Sequence, residues 1–309
     1  MLRIGIIGLG HIATTAYLPL LGTRAGLQLH LCSRNTQTMQ QLAARYQVAQ
    51  IHSQLESLIE AGIQAAFVHA ASVAHYTLIK PLLEANIAVF VDKPLTLHLS
   101  QSKELVQLAQ QTNTLLMVGF NRRYAPIYRE LKAVEQPTMI VMQKNRTNLP
   151  GPIRSFVLDD FIHVVDTLRW LFPYPIADTN ITFMGEGDRL SQLTLQLRAQ
   201  NGQMAMGIMN RNTVVTEERL EIMSPAQKLV AVNIAQLIKE NQSSSHYTRQ
   251  NDWETTLQKR GFVSMIEDFL QAVVSNSTPY ISLDDALLTH QLCEDIVGMV
   301  SEQGGLVSH

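Results

Sequence analysis

Cysteine is scarce: Cys32 and Cys293 are the two in 309 residues, and each lies in an apolar segment. That excludes a disulfide-stapled scaffold, matches no zinc motif and predicts two buried free thiols. A strong charge of either sign is missing too. Charged residues make up 16% and the formal net charge is -2, so neither nucleic acid nor an anionic membrane is expected as a partner. No apolar run approaches the roughly 18 residues of a spanning helix. The opening Met1–Gly8 has neither a long apolar core nor a small-residue cleavage site, so a cytoplasmic setting is expected rather than secretion. Internal repeats are absent.

What the chain does have is apolar content, 46%, enough for a large core in two domains. Over the first 120 residues, short apolar runs alternate with helical patterns. Arg3–Ile7, Gln28–Cys32, Ala65–His69, Val89–Val91 and Leu115–Val118 read as strands buried on both faces. Thr36–Tyr46, Gln54–Ala61, His75–Ala85 and Ser100–Gln111 read as helices, with Ser100 as an N-cap and Asn86 as a left-handed terminator. Alternation of this kind implies an α/β Rossmann domain with a doubly wound parallel sheet, here residues 1–120. The rhythm then changes. Strand-like runs at 138–146, 179–184, 192–198, 204–210, 219–223 and 229–233, with helical stretches at 159–171, 263–275 and 283–302, predict an α+β domain over 121–309. Its sheet is expected to be mostly antiparallel, and an exposed sheet face would suit a homodimer or higher homo-oligomer.

The first strand runs directly into Gly8-Leu9-Gly10-His11-Ile12-Ala13, a G-x-G-x-x-A pattern. A lone glycine pattern is weak, but this one sits between a strand and a helix, as phosphate binding requires. Gly8 permits the tight turn, Gly10 admits a pyrophosphate, and Ala13 lets the helix pack close. Pro19 should shorten or kink that helix. After the second strand come Ser33-Arg34-Asn35, where an NAD site would carry Asp or Glu for the ribose 2′-hydroxyl. A hydroxyl and a guanidinium suit a 2′-phosphate instead, so NADP is favoured over NAD.

Two further features carry chemistry. Val89-Phe90-Val91 ends in Asp92-Lys93-Pro94, placing a lysine at the ligand-binding edge of the sheet. Alone, Lys93 reads more readily as a solvated loop residue. In the helical stretch from Asp159, His163 follows one turn later, and Asp159, His163, Asp166 and Trp170 share one face, opposite Phe161, Val165 and Leu168. An acid so placed can orient a proton-transferring imidazole, or the two can be a structural pair. No third ligand completes a metal set, so no metal is expected.

Together these residues resemble the glucose–fructose oxidoreductase / inositol dehydrogenase / MocA (Gfo/Idh/MocA) family over nearly the whole chain. The glycine turn, Asp92-Lys93-Pro94 in place of Glu-Lys-Pro, Gly119–Tyr124 and the Asp159-x-x-x-His163 helix carry the resemblance, and several runs look closer still to the MviM-type branch. The resemblance implies an NAD(P)-dependent dehydrogenase or reductase acting on CH–OH groups of a sugar, polyol or related small substrate. Lys93 would polarise the substrate oxygen, with His163 as general acid/base oriented by Asp159. Gly8, Gly10, His11, Ile12, Ser33, Arg34, Ser72, His75, Asp92 and Lys93 are expected at the cofactor. Asn121, Arg123, Arg146 and Asp160 are expected at the substrate, with Phe161 shaping its pocket. Some members of the family sense a dinucleotide without turnover, and a minor branch hydrolyses glycosides with a held dinucleotide; both stand as alternatives.

Overall fold

A computed structural model describes residues 1–249 and 251–304, and the chain divides into two compact units. The first comprises Met1–Gly119 and Met265–His290. Its strands are β1 (Leu2–Ile7), β2 (Leu27–Cys32), β3 (Gln50–His52), β4 (Ala65–Val68), β5 (Ala88–Asp92) and β6 (Leu116–Gly119). They pair in parallel in the order β3-β2-β1-β4-β5-β6. The order reverses between β2 and β4, on either side of β1, so a crevice opens at the carboxyl edge beside the glycine turn. Every residue of β4 is buried, because helices cover both faces of a doubly wound sheet. β3 was not expected; three part-exposed residues at a sheet edge leave almost no apolar signature.

Local chemistry sets the helix ends. Asn35 caps Thr36–Tyr46 by accepting from the Thr38 amide, and Asn86 takes φ 57° after His75–Glu84, as expected of a left-handed terminator. Ser100 is not a cap. Helix Leu99–Gln111 starts one residue earlier, where Thr96 Oγ1 donates to the His98 carbonyl and also bonds Ser102 Oγ. After the glycine turn the helix includes a π turn, Ala13–Tyr17, and Pro19 falls in the first turn of Leu18–Leu21. The helix runs unbroken over residues 11–21, so the π turn widens it just before a residue that has no N–H to donate.

One division between the units falls between Gly119 and Phe120, and the first unit takes in a second, later stretch of the chain. Met265–His290 returns to the first unit because Phe269 completes its aromatic core, 5.1 Å from Phe67 and 5.6 Å from Phe90 between ring centroids. Both cysteines are buried and unbonded.

The second unit comprises Phe120–Ser264 and the chain from Gln291 onward. Its strands are β7 (Met139–Thr147), β8 (Gly151–Pro152), β9 (Asp178–Glu186), β10 (Arg189–Arg198), β11 (Met204–Thr213), β12 (Glu217–Met223), β13 (Lys228–Val232), β14 (Gln236–Glu240) and β15 (Ser245–Arg249). They form a nine-stranded sheet, antiparallel except for β7 with β11. Helix Ile162–Leu171 crosses β7 and β11 over Gly207, where a Cβ would stand 2.5 Å from Val164 Cγ1. β14 and β15 were unforeseen. Asn241–Ser244 is their turn, with Asn241 Oδ1 accepting from the Ser243 and Ser244 amides. Among the described residues, no helix is long and apolar enough to cross a membrane, and no three His, Cys, Asp or Glu are grouped to hold a metal.

Candidate active site

The glycine turn is built by β1 and its neighbours. The Gly8 amide donates to the Cys32 carbonyl, and its φ of 85° is a conformation that residues with a Cβ rarely adopt. A Cβ there would lie 2.5 Å from the Ala70 backbone nitrogen, so β4 seals one side of the turn. Gly10 is the opposite case: a Cβ on it would meet nothing within 4 Å. Open space above a helix N-terminus, whose first amides lack intrahelical partners, is what a pyrophosphate needs. His11 is exposed and Ile12 half-buried at the same turn. At the end of β2, Ser33 Oγ accepts from the Asn35 amide and Arg34 is exposed. Thus the expected cofactor residues of the first strands share one sheet edge.

Lys93 leaves the same edge after β5, two strands from β1 and hence roughly 10 Å away. Its turn is fixed from several sides. The Lys93 amide donates to Asp92 Oδ1 (2.8 Å), the Lys93–Pro94 bond is cis, and the Leu95 amide donates to His290 Nε2 (2.8 Å). His75, expected at the cofactor, is buried, with Nδ1 2.8 Å from the Pro94 carbonyl and Nε2 3.0 Å from the Ala70 carbonyl. Its ring thus ties the Lys93 turn to the end of β4. Ser72, half-exposed, starts the 3₁₀ turn before it. Burial raises the Asp92 carboxyl above its ordinary range, although the Lys93 charge opposes the shift.

In the second unit the segment expected as one α-helix from Asp159 divides into a π turn, Phe156–Phe161, and an α-helix, Ile162–Leu171. Asp159, Asp160 and His163 are partly accessible. The expected faces do not all hold. Asp166 is buried in an ion pair with Arg123 (2.6 Å), so Arg123 is occupied in the core instead of free for substrate. Phe161 is 0% exposed and packs toward Gly207, so it belongs to the helix–sheet core and not to a pocket. Asn121 is also built in: its Nδ2 donates to the Arg260 carbonyl (2.8 Å), and Gly261 approaches its backbone too closely for any Cβ.

Arg146 and Asp160 do come together. Asp160 accepts from Lys144 and, at 3.3 Å, from Arg146, while Arg211 Nε lies 3.9 Å away. Burial would raise the Asp160 carboxyl, but Lys144 and Arg146 overcome it and hold the group well below the usual carboxylate range. Beside this cluster Arg122 donates twice to Glu218 (2.9 and 2.6 Å), and Tyr128 donates to the same carboxylate (2.6 Å). The sequence reading missed Lys144, Arg211 and Glu218. Lys144 had a usable signal: it stands in register with Ile140 and Met142 on the buried face of β7, where a lysine needs a partner.

Comparison with known proteins gives a consistent picture. Residues 2–120 match the Gfo/Idh/MocA profile, described as an oxidoreductase family with an NAD-binding Rossmann fold, and residues 126–242 match a YceM-like C-terminal domain. YceM of Salmonella typhimurium, named an oxidoreductase, is 32% identical over 95% of this chain and 96% of its own. The myo-inositol 2-dehydrogenase of Thermotoga maritima is 22% identical, with 92% of each chain covered. The crystal structure of the dehydrogenase MviM from Clostridium difficile matches with a TM-score of 0.91 at 28% identity, covering 97% of this chain and 99% of that one.

Proposed function

The chain belongs to the Gfo/Idh/MocA family and is an oxidoreductase with a dinucleotide-binding Rossmann unit; on that premise we propose that it transfers a hydride between NADP and a sugar, polyol or related small molecule. The observation that carries this is the pinned Lys93 turn, which leaves the same sheet edge as the open Gly10 turn. The polyol class follows the likeness to the Thermotoga myo-inositol 2-dehydrogenase.

The turn Gly8–Ile12 would hold the pyrophosphate, and Ser33 with Arg34 the 2′-phosphate, since a planar guanidinium matches phosphate through paired hydrogen bonds. When bound, the nicotinamide supplies the two-electron exchange. The protein supplies charge and proton traffic. Lys93 polarises the substrate oxygen, His163 moves the proton at that oxygen, and Asp159 orients the imidazole.

Calorimetry tests the cofactor reading. Arg34→Ala should weaken NADP at least tenfold, in keeping with about 1.5–3 kcal/mol for a charged hydrogen bond, and leave NAD within about twofold. Equal weakening of both removes the argument for NADP. The two glycines should separate stability from binding. Gly8→Ala is expected to destabilise by about 2–4 kcal/mol, through left-handed strain and the clash with Ala70. Gly10→Ala should melt within a few degrees of the parent and yet lose dinucleotide affinity, because its methyl enters the phosphate space. A Gly10→Ala protein with unchanged affinity would move the cofactor elsewhere.

A further inference from the structure

The ends of β7 and β11 carry a feature that hydride transfer does not account for. A cavity of about 540 Å³ is lined there by Arg146, Ser155, Asp159, Asp160, Arg211 and the segment Leu149–Pro152, which ends in β8. Arg146 and Arg211 reach it from adjacent parallel strands. The pairing is regular to Asn145 with Asn210, then slips, so that Thr147 meets Thr213. One residue, Arg146, therefore lies opposite two, Arg211 and Asn212. A bulge of this kind re-aims the side chains it carries, and here it delivers Arg211 to the cavity that Arg146 lines.

The charges do not cancel. Lys144, 2% exposed, approaches Asp160 from the protein interior and forms its closest ion pair. The same carboxylate is shared by Arg146 at 3.3 Å and Arg211 at 3.9 Å. Three basic side chains thus converge on Asp160, of which burial brings the Lys144 amine down to about 7, and Asp159 supplies the cavity's other carboxylate. Arg211 Nε is buried and makes no hydrogen bond, although its guanidinium is held over the Phe156 ring at 5.1 Å. Arg189, whose Nη2 donates to the Pro150 carbonyl (2.6 Å), adds a further positive charge at the rim. A buried guanidinium that keeps a donor unused is a group prepared for an acceptor.

We propose that this cavity binds an anionic group, carboxylate or phosphate, carried by the substrate, with Arg146 and Arg211 as its ligands. The inference rests on the reading of Asp159 and His163 as substrate-side residues, because Asp159 lines the same cavity. It narrows the substrate from any sugar or polyol to a sugar acid or a sugar phosphate.

Calorimetry on the full chain distinguishes the sources, with glucose 6-phosphate, glucuronate, inorganic phosphate and neutral glucose as probes. At least one anionic sugar should bind ten times more tightly than glucose or better. Arg146→Gln and Arg211→Gln should each weaken it at least tenfold, whereas Arg198→Gln, in an exposed pair with Asp178, should not. Should Arg211→Gln fail to fold, the more exposed Arg146→Gln carries the test. Failure of all three anions to bind overturns the proposal, as does equal affinity for glucose. Binding of phosphate that neither variant weakens means an adventitious ion only, and overturns it too. The outcome is separate from the hydride reading. Loss of anion binding alongside turnover of a neutral polyol removes only the anion site; anion binding without any turnover removes only the catalysis.

Discussion

Glu218→Gln is expected to destabilise the second unit by about 3–5 kcal/mol, the usual cost of leaving one charge of a buried pair without its partner. Arg122 and Glu218 are 6% and 9% exposed in their side chains, and the carboxylate takes two bonds from Arg122 and one from Tyr128. Glutamine cannot accept that fork, and Arg122 would remain charged in the interior. Burial by itself would raise the Glu218 carboxyl; the Arg122 charge and hydrogen bonds reverse this and bring it down to about 2. The folded value lies below the unfolded one near 4.5, so the contribution is fully present above about pH 4.5. It falls away as the pH drops through about 2, by about 3 kcal/mol in total. Urea titrations at pH 7, 4 and 3 should therefore show the gap between parent and Glu218→Gln narrowing with acid. By contrast, breaking the exposed Arg198–Asp178 pair should cost under about 1 kcal/mol. A Glu218→Gln protein as stable as the parent at pH 7 would show that the network contributes little.

The Rossmann unit was the most legible part because its signals are local. A buried strand is a run of apolar residues, and a phosphate turn is a few glycines at fixed spacing; Gly8 and Lys93 both stand where strand-end reasoning put them. Elements that bury little left no such trace, which is why β3, β14 and β15 escaped. The return of Met265–His290 was illegible for another reason: nothing in the segment itself says that Phe269 packs against Phe67 and Phe90. The substrate side shows the same limit. Arg123 looked free because its partner, Asp166, lies 43 positions away, and a helical wheel placed Asp166 beside His163. That wheel assumed α geometry throughout; the π turn at Phe156–Phe161 breaks the assumption for Asp159, while Asp166, in the α-helix with His163, is drawn into the core by Arg123. Arg211 depends on a bulge between two strands, and register slips are invisible in one sequence. Lys144 and Glu218 could have been found, as charged residues at inward positions of alternating strands.

Lys93→Ala and His163→Ala should each lower kcat for the substrate by about 10²–10⁴, the range that positioned acid–base and electrostatic groups contribute. The expected signature is a fall in kcat and kcat/KM together with little change in KM, since the lost interaction develops only as charge forms on the substrate oxygen. Lys93 is the sharper of the two tests because its backbone is fixed independently of its side chain. Asp92 accepts its amide, His75 holds the Pro94 carbonyl and His290 accepts the Leu95 amide, so truncating the ammonium leaves the turn in place. The melting temperature should consequently stay near that of the parent, which separates a chemical role from a structural one. Replacing His75 should act differently. His75→Ala leaves the Pro94 and Ala70 carbonyls without their ring partner, so it should loosen the turn, lower the melting temperature and reduce kcat through Lys93. Asp159→Asn should sit between the two, shifting the pH profile of kcat by changing how the His163 imidazolium is supported. A Lys93→Ala enzyme with full kcat on a confirmed substrate would leave the pinned turn as architecture alone, and the proton and charge roles would have to come from the second unit.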